Sequence, residues 1–197
     1  LLSACVDGWF TLPLAIPNYL AGLAGQPLLD VDAPEATDAL ADVRGRIDHL
    51  VNNPGHSRPT TFHRRLGEIL YTGCGVSRSE AGLTRALEQV QELREEFWRD
   101  VRVTGTDDRL NQELEKAGRV ADFLELAELM ITDALDRQES CGAHFREEYA
   151  LPDGEAKRDD ERWCNVSAWE TNPAGQHRRY QEPLRFESVK LQVRNYR

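Results

Sequence analysis

Apolar residues recur along the middle of the chain at the spacing of an amphipathic α-helix. From about residue 77 to 100 they fall on one side of a helical projection and charged residues fall on the other. The apolar stripe consists of Leu83, Ala86, Leu87, Val90, Leu93 and Phe97. Ser77 and Glu80 form a candidate capping box, in which each side chain bonds a free backbone N–H at a helix start. The pattern predicts a helix with a solvated acidic face.

Two further stretches have the same period. A helix from 60 to 72 is predicted by Phe62, Leu66, Ile69 and Leu70, and it ends where Gly73-Cys74-Gly75 breaks the pattern. A longer stripe runs from Asp107 to about Glu139, and its small residues allow close approach of another helix. Because long helices joined by short turns pack antiparallel, we expect an antiparallel three-helix bundle over residues 60–142.

Beyond Arg158 the period changes from that of a helix to that of a strand. Trp163, Val166 and Ala168 are followed by Val189, Leu191 and Val193, which alternate with polar residues. Such alternation is typical of a half-buried strand. We therefore expect residues 143–197 to form a short, irregular β tail, and the predicted fold class is mainly α.

The first quarter of the chain has a different character. Residues 1–25 are strongly apolar, but Asp7, Pro13 and Pro17 argue against a membrane span, and no basic leader precedes them. The stretch predicts a helix buried in a larger core. Residues 26–59 are rich in proline and read as a connector with one short helix near 35–51. Since the only methionine is Met130, we expect the chain to be the C-terminal piece of a longer protein.

Composition and charge argue against some classes of function. The 197 residues include 34 acidic and 24 basic side chains, a net charge of −10, which disfavours nucleic acid as a partner. The four cysteines lie far apart without a CxxC pair, which is typical of a reducing compartment. The segment 176–197 has the opposite charge, since six basic residues outnumber Glu182 and Glu187 by four. It is suited to an acidic neighbour.

The stretch CGAHFREEY at 141–149 looks more like a catalytic or metal-binding motif than any other part of the sequence. Cys141 and His144 could be half of a metal site, a nucleophile with its base, or packed side chains. Of the other histidines, only His56 and His63 have a spacing that could converge on a metal, and a third ligand is missing. Phosphate-binding loops, zinc motifs and serine-nucleophile motifs do not occur in the sequence. We predict no metal site and no self-contained active site, and Cys74 is expected to be a packed thiol.

Several runs of residues resemble one enzyme family. NQELEKAGRVADFLELAELM, ESCGAHFREEY and DDERW are similar to the C-terminal third of the flavoprotein subunit of bacterial succinate dehydrogenase and fumarate reductase. The resemblance covers nearly the whole chain and is weakest at 26–58. It implies that residues 1–25 are the last helix of an FAD-binding domain, 26–59 a connector, 60–142 the helical bundle and 143–197 the tail.

The resemblance also implies an activity for the full-length subunit. Hydride passes between succinate and FAD, and electrons leave through an iron-sulfur subunit and a membrane anchor to quinone. The subunit lies peripherally on the cytoplasmic face of the inner membrane. The catalytic residues of the family all lie upstream of residue 1, so we expect this chain alone to be inactive and to bind no FAD tightly.

Two sets of residues can be carried over from the family. Leu1 aligns with a leucine of an N-R-L-G-x-N-S-L-L motif and would lie at the flavin edge. Many members have arginine at the position of Cys141, so this residue is not a required thiolate. Cys141, Gly142, His144 and Arg146 are instead expected to be a structural joint, in which Gly142 turns the chain and the His144 and Arg146 side chains bond between bundle, tail and FAD domain. The alternatives are the C-terminal region of an L-aspartate oxidase, which the long tail disfavours, and a free-standing helical interaction module.

Overall fold

The computed structural model describes residues 2–28, 30–106, 108–172 and 176–192. The chain divides into two compact units, Leu1–Asp48 and His49–Arg197. Helix α3 crosses the division, since it spans Pro34–Asn52. Within the described ranges, no helix has both the length and the hydrophobicity that crossing a membrane requires.

The first unit opens with helix α1 (Leu2–Val6), a π-helical turn (Asp7–Thr11) and helix α2 (Leu12–Ala21). The Leu12 N–H donates to the carbonyl of Asp7, and Pro13 has no N–H with which to continue a regular α-helical ladder. The predicted helix in this segment is thus present. Within this unit its large apolar side chains are exposed, among them Trp9, Phe10, Leu14, Ile16 and Tyr19.

The second unit contains the predicted antiparallel three-helix bundle. Helix α4 spans Pro59–Gly73, α5 spans Glu80–Asp100 and α6 spans Gln112–Asp136. The stripe predicted for α5 is buried except for Leu87, which is partly buried. Phe62 of α4 packs edge to face on Phe97 of α5, with ring centroids 5.3 Å apart. Alanines 117, 121, 127 and 134 line the buried face of α6 and allow the close packing that the sequence predicted.

Two predicted helix starts were wrong. The residue that caps α5 is Ser79, whose hydroxyl accepts a hydrogen bond from the Gly82 N–H, and Ser77 instead lies in a short strand. Helix α6 begins at Gln112 and not at Asp107, because the Asn111 side chain accepts from two N–H groups of its first turn. The capping-box pattern at Ser77 placed the start of α5 too early, and the helical period placed the start of α6 too early.

The strands are short and lie in two separate sheets. Strand β1 (Ser77–Arg78) pairs in parallel with β2 (Phe145–Arg146), and a 3₁₀ turn (Glu147–Tyr149) follows β2. After helix α7 (Asp160–Trp163), strands β3 (Asn165–Thr171) and β4 (His177–Pro183) form an antiparallel hairpin.

The β tail is therefore present, but the strand predicted from alternation at 189–194 was misplaced. Residues 189–192 form no strand, and 193–194 lie outside the described residues. Alternation of apolar and polar residues marks a strand only where another strand supplies backbone partners. Here the pairing strands are β3 and β4.

The hairpin packs on the end of α6 through polar as well as apolar groups. The indole N–H of Trp169 on β3 donates to Asp133 over 2.7 Å, and Arg179 on β4 forms an ion pair with Asp136. The guanidinium of Arg179 also lies 5.4 Å from the ring centre of Trp163. The inner face of the hairpin is thus attached to the bundle.

Candidate functional site

The segment from Glu139 to Tyr149, here called the joint loop, leaves the end of α6 in a tight turn. The Cys141 N–H donates to the His144 carbonyl over 2.8 Å, and the His144 N–H donates to the Cys141 carbonyl over 3.1 Å. Gly142 has φ +61°, a left-handed conformation that costs a residue with a side chain about 1 kcal/mol or more. The turn brings the His144 and Arg146 side chains back over the bundle.

Both ring nitrogens of His144 are hydrogen-bonded. Nδ1 lies 2.9 Å from a guanidinium nitrogen of Arg78, and Nε2 lies 3.0 Å from the carbonyl oxygen of Arg137. A guanidinium only donates and a carbonyl only accepts, so the ring is neutral and carries its proton on Nε2. Burial lowers the pKa of His144. The hydrogen bond to the Arg137 carbonyl opposes this shift, and the charges of Arg78, Arg137 and Arg146 add to it.

Arg146 is a charged residue with only 1% of its surface exposed. Its Nη1 donates to the carbonyls of Ala134 and Leu135 over 2.8 and 3.2 Å, and these carbonyls belong to the last turn of α6. Its backbone N–H donates to the hydroxyl of buried Ser140 over 2.8 Å. The guanidinium therefore caps the C-terminus of α6, where the helix dipole favours a positive charge.

Glu148 provides the opposite charge at another helix end. Its Oε2 accepts from Nε of Arg146 over 3.1 Å, and its Oε1 accepts from the N–H of Glu80, the first residue of α5, over 2.6 Å. Burial opposes ionisation of this carboxyl, but the hydrogen bonds from Glu80 and Arg146 outweigh it and lower the pKa of Glu148. One ion pair thus connects the C-terminus of α6 with the N-terminus of α5.

Another carboxylate, which is buried, connects the joint loop to the tail. Glu139 is almost completely buried, and its Oε1 accepts two hydrogen bonds from Arg137 over 2.9 and 2.6 Å. Its Oε2 accepts from the N–H of Asp159 over 2.9 Å. Arg137 also donates to the carbonyl of Trp163 over 2.8 Å. The start of α7 is held against the end of α6 by these bonds.

The geometry of the joint loop does not support a Cys141–His144 nucleophile pair or a metal site. Because both ring nitrogens of His144 are occupied, the ring has no free nitrogen with which to act as a base for the Cys141 thiol. Over the described ranges, no three His, Cys, Asp or Glu side chains are grouped so as to hold a metal ion. His56 instead bonds Asp100 over 3.1 Å, and His63 stacks on a phenylalanine of α6.

Two other residues singled out in the sequence can be placed. Cys74 is buried at the end of α4, and burial raises the pKa of its thiol although Arg78 acts in the opposite direction. It is a packed thiol and not an activated one. Leu1, aligned above with the flavin edge, lies outside the described residues.

Sequence reasoning missed Arg78 and Glu148, the partners that connect the joint loop to α5. Arg78 is 66 positions from His144, and Glu80 is 68 positions from Glu148. No periodic pattern links residues so far apart in the chain. The one local signal was the position of Glu148 two residues after Arg146, close enough in the chain for the two side chains to form an ion pair.

The described part of the second unit is a helical bundle whose polar residues at the joint loop hold elements together. Comparison with known proteins identifies the family. Residues 63–196 match the family model described as fumarate reductase flavoprotein C-term, and they make up more than half of the chain. The chain belongs to this family.

Individual relatives agree with the family match. The fumarate reductase flavoprotein subunit of Escherichia coli is 33% identical over 120 residues, which cover 61% of this chain and 19% of the relative. That of Proteus vulgaris is 29% identical over 167 residues, covering 81% of this chain and 26% of the relative. The chain thus spans about a fifth to a quarter of the length of these two relatives.

A solved structure is similar in fold as well. The chain superimposes on the quinol fumarate reductase of E. coli with a TM-score of 0.70 and 27% identity, covering 85% of this chain and 27% of the other. The likeness in fold therefore extends beyond the residues that match the family model.

Proposed function

We propose that the full-length protein is the flavoprotein subunit of a succinate dehydrogenase or fumarate reductase. It transfers hydride between succinate and FAD, and electrons pass through an iron-sulfur subunit and a membrane anchor to quinone. The observation that carries this proposal is the family match over residues 63–196. The likeness to a quinol fumarate reductase supports it further.

Within that protein, this chain has a structural and subunit-docking role. The chemistry and the FAD belong to the part of the subunit upstream of residue 1, and residues 1–25 are the last helix of the FAD-binding domain, with Leu1 at the flavin edge. Residues 26–59 are the connector, 60–142 the bundle and 143–197 the tail. The assembled protein lies on the cytoplasmic face of the inner membrane and is held there by its partner subunits.

Three features support a scaffold role. The helix ends at the joint loop are capped by Arg146 and Glu148, and the imidazole of His144 has both nitrogens in structural bonds. The exposed apolar side chains of α1, the π-helical turn and α2 are what a helix would present to a further domain. The exposed cations Arg185 and Lys190 of the tail suit an acidic partner.

The proposal is tested with the full-length protein, purified with and without its candidate iron-sulfur subunit. We expect bound FAD, succinate oxidation with an artificial electron acceptor, and fumarate reduction with a chemical reductant. A protein that oxidises L-aspartate and not succinate would place it with the L-aspartate oxidases. A protein that binds no flavin would refute the enzyme proposal altogether.

The chain of residues 1–197 alone provides the second half of the test. We expect no flavin absorbance and no turnover from it, but binding to the purified iron-sulfur subunit. Substitution of Arg185 and Lys190 by glutamate is expected to weaken that binding at low salt, because both charges are reversed. Unchanged binding would show that the tail does not form the docking surface, without affecting the assignment of the enzyme.

A further inference from the structure

The surroundings of His144 are unusual because the charges around the ring are mostly positive. Arg78 approaches it from β1, Arg137 from the end of α6 and Arg146 from β2. The carboxylates of the joint loop are engaged elsewhere, since Glu139 bonds Arg137, and Glu148 bonds Arg146 and the start of α5. Three further titratable groups of the joint loop are Glu147, which accepts from Ser77, the thiol of Cys141, and Tyr149, whose ring lies 5.6 Å from the guanidinium of Arg146.

A proton on Nδ1 is incompatible with this arrangement. Nδ1 is the only acceptor that the ring offers, and Arg78 donates to it. Once Nδ1 carries hydrogen, two donors and two positive charges face each other over 2.9 Å. Among the residues that the structure describes, no carboxylate bonds the ring to compensate for the added charge.

We propose that His144 makes the attachment of the joint loop to β1 sensitive to acid: the neutral ring holds Arg78, and the protonated ring releases it. The elements that separate are β1 and β2, whose parallel pairing joins Ser77 to Phe145 and Arg78 to Arg146. The caps that Arg146 and Glu148 supply to α6 and α5 keep their charges through the same pH range, because arginine does not titrate there and the pKa of Glu148 is lowered from its ordinary value. The bundle therefore stays folded while the loop opens.

The direction of the pH effect follows from the pKa of His144. Burial and the charges of the three arginines lower it below the ordinary value of 6.5, against the opposing hydrogen bond to the Arg137 carbonyl. Above 6.5 the ring is neutral in both the closed and the open loop, and the attachment has its full stability. As the pH falls below 6.5, the open loop takes up the proton first, so the equilibrium constant for opening rises by up to about tenfold per pH unit.

Hydrogen exchange followed by mass spectrometry measures this opening. The full-length protein is labelled at pH 7.5 and at pH 5.5, and the rates are corrected for the intrinsic pH dependence of exchange. We expect peptides covering 76–80 and 141–149 to gain exchange by about tenfold at the lower pH, whereas peptides from the interiors of α5 and α6 do not. Equal protection of the loop at both pH values overturns the proposal.

Two variants show whether His144 is the responsible group. In His144→Gln, an amide that does not titrate takes the place of the ring, and we expect the pH effect to disappear. His63→Gln, on the exposed side of α4, is the matched control and keeps the effect. A pH effect that persists in His144→Gln would assign it to another group and overturn the proposal.

The wild-type protein allows a test that does not depend on the folding of a variant. Selective ¹⁵N labelling of histidine distinguishes a protonated from an unprotonated ring nitrogen in NMR spectra. We expect hydrogen on Nε2 and none on Nδ1 of His144 at pH 7.5. Hydrogen on Nδ1 at that pH would contradict the contact on which the proposal rests.

Discussion

The cap that Arg146 places on the end of α6 leads to a quantitative prediction. In Arg146→Met the side chain keeps similar length but donates no hydrogen bonds, so the carbonyls of Ala134 and Leu135 lose a charged donor. A buried acceptor left without a partner costs about 1–3 kcal/mol. The lost ion pair adds little, about 0–1 kcal/mol, because the side chain of Glu148 is 38% exposed.

For the two acceptors and the ion pair, these contributions sum to a loss of about 2–7 kcal/mol in the free energy of unfolding. Burying a thioether in place of a guanidinium recovers some desolvation energy, but the unpaired acceptors are backbone carbonyls, which no second substitution can remove. For a chain of this size, a loss of 3 kcal/mol lowers Tm by about 6–12 °C.

The assay is urea unfolding of the 197-residue chain, followed by circular dichroism. Arg119→Met is the matched control: Arg119 also lies on α6 and pairs with Glu115 four residues earlier, but it is exposed. We expect this control to lie within about 0.5 kcal/mol of wild type. A loss below about 1 kcal/mol in Arg146→Met would mean that water replaces the guanidinium, and the capping argument would fail.

Three other predictions concern different parts of the chain. Asn111→Ala should lower the free energy of unfolding by about 1–2 kcal/mol, measured in urea, because the cap of α6 is lost. Cys74 should be alkylated far more slowly than exposed Cys5 and need higher pH, as followed by mass spectrometry, since burial raises its pKa. His144→Ala should lower the yield of assembled enzyme, and a selective loss of kcat after assembly would contradict a structural role.

The bundle was predictable because burial imposes the helical period on the sequence. Leu83, Val90, Leu93 and Phe97 are all buried at the spacing that one face of a helix requires. Cap positions were harder to predict from the sequence, since they depend on which of several candidate side chains reaches the N–H groups of the first turn. In α5 that side chain belongs to Ser79, two residues after the serine that the capping-box pattern favoured.

The hairpin was predicted only in part, since Val166 and Ala168 of the predicted alternation lie in β3 but on its exposed face. Its inner face carries Ser167, Trp169 and Arg179, which are not apolar in a simple alternation. Trp169 bonds Asp133 and Arg179 pairs with Asp136, and hydropathy does not report such bonds. Residues 189–192 alternate between apolar and polar side chains but pair with no other strand. The sequence pattern of a strand is therefore present there without the strand itself.

The joint loop was predicted in part: its residues were identified from the sequence, but their partners were not. Arg146 was singled out from the sequence, but its burial was not predictable from neighbouring residues. The guanidinium can be buried because it donates to the carbonyls of Ala134 and Leu135. The order of the charges matters: Arg146 faces the negative end of α6, and Glu148 faces the positive end of α5. Exchanging the two would keep an ion pair and yet place each charge against a like helix end. The loop is thus specified by the ends of two helices distant in sequence, and only the fold brings those ends together.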